Sequence, residues 1–325
     1  MTKTNTSSSQ DIYTRITNQI IEAIEHGADA FQMPWHTNGL CAGRPINAAS
    51  GKAYRGVNVL ALWCAANEAG YSSEQWATYK QWSEKGAQVR KGEKSTNIVF
   101  WKIGDAPGAE VEAPTTEGDE AGASRRIIAR GYNVFNIEQT EGYQAPALPQ
   151  RPDHARVRHA DEFFHCLGAD IRHGGGRAFF KPSSDHIQMP PFEVFHNTVA
   201  YYSVLSHEVT HWTGAKSRLD RDLSGRFGEE SYAAEELVAE LGAAFLCADL
   251  GLENSPRPDH ASYVANWLKV LKDDKRAIFT AAAKAQQAVD FAHNLQPQPR
   301  GEPDPEAEEE PILSTSAPGQ FTLSF

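Results

Sequence analysis

No stretch of this 325-residue chain comes near 18 uninterrupted apolar residues, which excludes a membrane-spanning helix of ordinary length. The first twenty residues, MTKTNTSSSQDIYTRITNQI, lack the apolar core of a secretory leader and argue against export by that route. Cysteine is scarce. Cys41, Cys64, Cys166 and Cys247 lie far apart and form no CxxC pair, so neither a disulfide framework nor a thiolate zinc cluster is expected. A soluble protein of the reducing cytoplasm, with no membrane partner, fits these absences. Basic residues are missing from 104–124, where six acidic ones stand, and 296–325 sets six acidic residues against one arginine. Those two segments account for the whole formal charge of −11, while residues 1–103 carry 11 Lys/Arg against 8 Asp/Glu. The mildly basic N-terminal part is therefore able to meet phosphates despite the acidic total.

What is present is ample apolar material: 40% hydrophobic residues with 10% aromatics suffice for two ordinary domains or one large one. Ile12, Ile16, Ile20, Ile21 and Ile24 recur at helical spacing, which predicts a helix over 11–26 with Gly27 as its cap. After a turn-rich stretch, helices are expected at 59–69 and 73–85. The β-branched and aromatic run STNIVFWKI and the later RGYNVFNIEQ predict a hairpin whose acidic loop, 104–124, has the composition of a disordered segment. A first domain is thus read over 11–145. Residues 153–295 read as a second, mostly helical unit with a small sheet. Its expected elements are a helix at 160–166, strands near 178–180 and 186–189, and helices beginning at Phe195, Ala233 and Ser262. The class is α+β, with residues 1–10 and the Pro- and Glu-rich 296–325 as disordered ends.

Inside a helical run lies His207-Glu208-Val209-Thr210-His211. Positions i and i+4 share a helix face, so both imidazoles can bind one Zn²⁺ while Glu208 faces the remaining coordination position as a catalytic base. Zinc lowers the pKa of water to about 7 and polarises a scissile carbonyl, and Glu208 can pass the proton to the leaving amine. Such a spacing arises by chance in about one chain in a hundred of this length, so ordinary helix histidines are the weaker reading. A hydrolytic site needs a third ligand, and Glu236 and Glu240 stand one turn apart on the otherwise apolar run YAAEELVAELGAAF. Burying two carboxylates there is costly unless something compensates them. The order HExxH, then a helical Glu followed by an acid four residues on, resembles the gluzincin metalloproteases. That resemblance implies Glu236 as third ligand and Glu240 as the carboxylate holding His207; the swapped assignment stays open. A metzincin needs a third histidine where Ser217 stands, and the SprT-like proteases need one that 211–250 does not supply. Tyr232, Tyr201 and Tyr202 are candidate donors to a developing oxyanion.

Five of the seven tryptophans fall in the first 101 residues. Trp63 and Trp101, on apolar elements, read as core. Trp35, Trp76 and Trp82, with Tyr54, Arg44, Lys52, Arg55, Lys80, Arg90, Lys91 and Lys94, combine flat rings with cations in the way single-stranded DNA binding requires. The strings PWHTNGLCAGRPINAASGKAYRGVNVLALW, QWATYKQWSEKGAQVRKGEKSTNIVFWK and RGYNVFNIEQ resemble the N-terminal domain of ArdC-type antirestriction proteins of plasmids and phages. HEVTHWTGAKSRLDR with EELVAELGAAFL resembles the zincin domain that follows it, and the likeness spans roughly residues 10–290. It implies sequence-independent binding of single-stranded DNA and protection of incoming DNA from host restriction. The leading expectation adds to this a zinc endopeptidase, read from the HExxH helix, directed at a protein substrate associated with DNA. Two other readings are a DNA-binding protein with a structural or dormant zinc site, and a general DNA–protein crosslink protease. The end of the chain, with Gln320, Leu323 and Phe325, resembles the Gln-x-x-Leu-x-Phe peptide that binds the bacterial sliding clamp.

Overall fold

The computed structural model describes residues 8–28, 33–36, 43–103, 127–143, 153–224, 230–252 and 261–297. Helix α1 (Ser8–Ala28) buries Ile12, Ile16, Ile20 and Ile24 on one stripe and runs through Gly27 rather than ending there. Then follow strand β1 (Ile46–Asn47) and helix α2 (Val57–Ala69), which is buried along most of its length. Gly70 closes α2 in the left-handed region, with its N–H on the Ala66 carbonyl. The helix expected over 73–85 is instead strand β2 (Gln75–Ala77) followed by the short helix α3 (Tyr79–Glu84). Thr78 starts α3 through a capping box with Gln81, which breaks the run in two.

Strands β3 (Gln88–Val89), β4 (Thr96–Ile103), β5 (Ile127–Asn136) and β6 (Thr140–Glu141) complete the first half. The expected hairpin is present, with β4 and β5 antiparallel from Thr96 opposite Val134 to Ile103 opposite Ile127. The larger sheet has the order β1-β2-β5-β4, and β3 pairs with β6 apart from it. Residues 1–7, the acidic segment 104–124 and residues 298–325 lie outside the described residues, while α1 already begins at Ser8 and Gln296, at the start of the tail, donates to the Phe163 carbonyl.

In the second half, helix α4 (Asp153–Cys166) precedes strands β7 (Asp170–His173), β8 (Phe179–Lys181) and β9 (His186–Met189). The sheet order is β7-β9-β8, so β8 is an edge strand antiparallel to β9. Four helices follow: α5 (Thr198–Thr213), α6 (Glu230–Leu250), α7 (Ala261–Asp273) and α8 (Ala277–Asn294). Helix α5 starts three residues beyond Phe195 because the Asn197 side chain accepts from the Ala200 N–H as N-cap. Helices α5 and α6 approach closely at Gly242, where a Cβ would lie 2.5 Å from the Thr210 side chain.

One hydrophobic cluster runs through both halves. Trp35 packs on Trp267 (ring centroids 6.2 Å apart), Trp63 on Phe245 (5.9 Å) and Tyr13 on Phe279 (4.6 Å). The two units read from the sequence therefore share a core.

Candidate metal centre and nucleic-acid face

The α5–α6 crossing brings His207, His211 and Glu236 together, with one ligand atom from each lying within 4.8 Å of the others. The two histidine Nε2 atoms are 3.1 Å apart. The Glu236 carboxylate closes the group, with Oε2 3.4 Å from His207 Nε2 and Oε1 3.5 Å from His211 Nε2. Glu240 stands behind His207: its Oε2 is 3.6 Å from a buried Nδ1 that has no closer hydrogen-bond partner. Two neutral-capable imidazole nitrogens and a carboxylate converging in this way form a donor set suited to a divalent cation.

The outer partner of the second histidine was not read from the sequence. Glu235 lies 3.3 Å from His211 Nδ1 and is gripped by Arg221, whose guanidinium also donates to the Thr210 carbonyl (2.6 Å) and Thr213 Oγ1 (2.9 Å). Each ligand-type histidine therefore has a carboxylate facing its far nitrogen, Glu235 at 3.3 Å from His211 and Glu240 at 3.6 Å from His207, an arrangement that orients metal-binding imidazoles. The hint in the sequence is Glu235 itself, the third acidic residue of the run YAAEELVAELGAAF. Burial lowers the His211 pKa, but hydrogen bonds to Glu235 and Glu236 outweigh it and leave the imidazole raised to about 10. Burial acts against ionised Glu236 too, and its contacts with His207 and His211 prevail, holding it well below the ordinary carboxylate range.

The group opens onto a cleft of about 280 Å³, whose walls include Arg177, Phe179, Phe180, Glu208, Leu223 and Tyr232. Edge strand β8 forms one side. The other two candidate oxyanion donors point elsewhere: Tyr201 Oη bonds His173 Nε2 (2.9 Å), and the Tyr202 hydroxyl is taken by Asp161.

The residues expected to meet DNA divide sharply. Trp35, Trp76 and Trp82 are fully buried, and Tyr54 and Arg44 are buried as well. They offer no face to a base or phosphate, because large rings near a domain core stabilise more by packing than by waiting at a surface. Trp82 donates to the Phe135 carbonyl (2.9 Å), while Arg44 pairs with Asp249 (2.7 Å) and Gln286 (2.8 Å). Lys52, Arg55, Lys80, Arg90, Lys91 and Lys94 are exposed. Of these, Arg55 is paired with Asp290, Lys80 with Glu84 and Arg90 with Glu93.

The exposed rings are others. Tyr79 is 52% exposed, Phe100 45% and Trp101 40%, the last against its reading as core. Phe100 meets Tyr132 edge-on across the hairpin, and the Arg130 guanidinium lies 5.4 Å from the Tyr132 ring centroid. Tyr79 borders a shallow groove that also includes Arg90 and Lys91. Gln320, Leu323 and Phe325 lie outside the described residues.

Comparison with known proteins follows the same division. Residues 10–135 match the N-terminal domain of anti-restriction factor ArdC, and residues 158–284 match zincin-like metallopeptidases. The chain is 53% identical over 286 residues to protein y4eC of Sinorhizobium fredii, covering 88% of this chain and 92% of that one. It is 36% identical over 294 residues to a DNA primase TraC of Escherichia coli, covering 85% of this chain but only 26% of the primase. Among solved structures it is similar to antirestriction ArdC from plasmid R388. The metal-free form gives a TM-score of 0.70 at 41% identity, covering 88% of this chain and 97% of that one. The Mn(II)-bound form gives 0.69 at 40%, covering 88% and 98%.

Proposed function

As this chain belongs to the ArdC family of antirestriction proteins and carries a zincin-like metallopeptidase domain, we propose that it is a zinc-dependent endopeptidase that binds single-stranded DNA without sequence preference, protecting incoming DNA in the cytoplasm. The observation that carries the peptidase reading is the convergence of His207 Nε2, His211 Nε2 and the Glu236 carboxylate, each histidine backed by its own carboxylate. Zn²⁺ held by these three residues would lower the pKa of water to about 7 and polarise a carbonyl. The chain's own groups supply the rest. Glu208, on the cleft wall next to His207, holds and returns a proton. Tyr232 lies on the same wall, placed to donate to negative charge developing on a carbonyl oxygen. The open edge of β8 accepts an extended peptide by strand addition.

The DNA reading rests on the exposed rings Tyr79, Phe100 and Trp101 and the half-buried Tyr132, with Arg130, Lys91, Lys94 and Lys52. Bases stack on such rings while cations meet the phosphates. Equal affinity for duplex and single-stranded DNA would sink it. The protein substrate is proposed to be DNA-associated. The terminal Gln320, Leu323 and Phe325 are proposed to dock on the sliding clamp, which deletion of 320–325 should abolish in a pull-down with purified clamp.

A Glu208→Gln variant tests the catalytic reading. It should retain stoichiometric zinc and single-strand binding and lose cleavage of proteins bound to single-stranded DNA. If the zinc-loaded native protein cleaves nothing under the same conditions, occlusion of DNA by the N-terminal half becomes the better account.

A further inference from the structure

Glu240 divides its two oxygens between distant parts of the chain. Oε1 accepts hydrogen bonds from Trp35 Nε1 and His36 Nε2, each 3.1 Å long, while Oε2 faces His207 Nδ1 at 3.6 Å. The His36 tautomer follows from its other nitrogen. The Met33 backbone N–H donates to Nδ1 over 3.0 Å, so the ring proton sits on Nε2 and points at Glu240. Trp35, His36, Glu240 and His207 are all buried, so water has little access to substitute for either donor. The Trp35 ring is itself immobilised against Trp267. Two donors on one oxygen fix the rotation of the carboxylate and leave the second oxygen aimed at the histidine.

We propose that Trp35 and His36 are positioning residues of the metal centre. Acting through Glu240, they hold His207 with its proton on Nδ1 and its Nε2 turned towards His211 and Glu236. Both lie outside the span 158–284 that matches the zincin-like family, within the span that matches the ArdC N-terminal domain. The peptidase half therefore completes its metal centre with two side chains from the DNA-binding half. This inference rests on the reading of His207, His211 and Glu236 as metal ligands.

The test is a double-mutant cycle on the full-length, metal-free protein, with Zn²⁺ and Mn²⁺ affinities measured against a competing chelator. Trp35→Phe/His36→Phe should weaken binding about ten- to hundred-fold, the range for lost outer partners of metal-bound histidines. In a Glu240→Ala background the same pair of changes should cost little more. An equal loss in both backgrounds, or undiminished affinity in the first, overturns the inference. If the double variant does not fold by circular dichroism, single changes serve. His36→Leu should weaken binding, and His36→Gln, which keeps a donor, should restore most of it; identical affinities for the two overturn it as well. Selective ¹⁵N labelling of histidine gives an independent readout, because His207 should lose its Nδ1–H signature in the variants. A native protein that binds neither metal would instead overturn the reading of the centre itself.

Discussion

His207 and His211 each present Nε2 to the same carboxylate and Nδ1 to a different one, and the two outer carboxylates are held by different means: Glu240 by Trp35 and His36, Glu235 by Arg221. The contacts of His211 have a consequence for pH. Its pKa in the folded, metal-free protein is raised to about 10, so the proton is bound at neutrality. Stability from that proton is fully present below the ordinary histidine pKa of about 6.5 and is lost as pH rises through about 10. A metal must displace the proton, so affinity for Zn²⁺ should rise about tenfold per pH unit across neutrality. Titrations in buffers of different ionisation enthalpy should show proton release on binding, and a pH-independent affinity would contradict it. Of the three candidate tyrosines, Tyr232 lines the cleft. Tyr232→Phe should lower kcat about a hundredfold or more with KM little changed, read in steady-state proteolysis. The HExxH spacing and the pair Glu236 and Glu240 were legible in the sequence because helix periodicity alone aligns them. Arg221 and Glu235 were not, since their meeting depends on how the chain turns after α5.

Among the elements, the crossing of α5 and α6 decides whether the centre forms. Thr210 sits between the two histidines, and its Oγ1 already bonds the Ser206 carbonyl, so the side chain has little room to yield. Gly242→Ala should place a methyl 2.5 Å from it, costing about 1–3 kcal/mol in urea unfolding through overpacking. Metal affinity should fall with it, as Glu236 moves away from the histidines. Native affinity in a destabilised variant would show that the centre tolerates a wider crossing. The hairpin β4–β5 and helices α1 and α2 were legible as elements, having long β-branched runs or clear four-residue spacing. Strand β2 was not. Three residues are too few to show alternation, and Gln75–Ala77 is a strand because β1 and β5 flank it, with Trp76 opposite Asn136.

For the whole molecule, the shared core predicts cooperative unfolding. Helix α1 packs on α7 and α2 on α8, and buried Arg44 reaches across to Asp249 and Gln286. Denaturation followed by tryptophan fluorescence and by circular dichroism should therefore give one coincident transition. A fragment holding only residues 153–297 should expose Trp267 and Phe245 and fail to fold cooperatively. Two resolved transitions, or a stable fragment, would show that the halves are independent. The charge distribution acts at this scale too. Segments 104–124 and 296–325 carry the acidity, leaving the rest of the chain balanced and the N-terminal half free to approach phosphates.

By itself the sequence determined what depends on spacing along the backbone: an α+β chain, two histidines sharing a helix face, two carboxylates one turn apart, and a hairpin flanking an acidic segment. The tertiary structure alone decided which side chains meet across many residues and which are left in solvent. It set Glu236 between the histidines and Glu240 behind one of them, brought Trp35 to a carboxylate 205 positions away, and exposed Trp101 while burying Trp76 and Trp82. The physical reason is that periodicity is a property of one element, whereas burial and long-range partners belong to whatever packs against it.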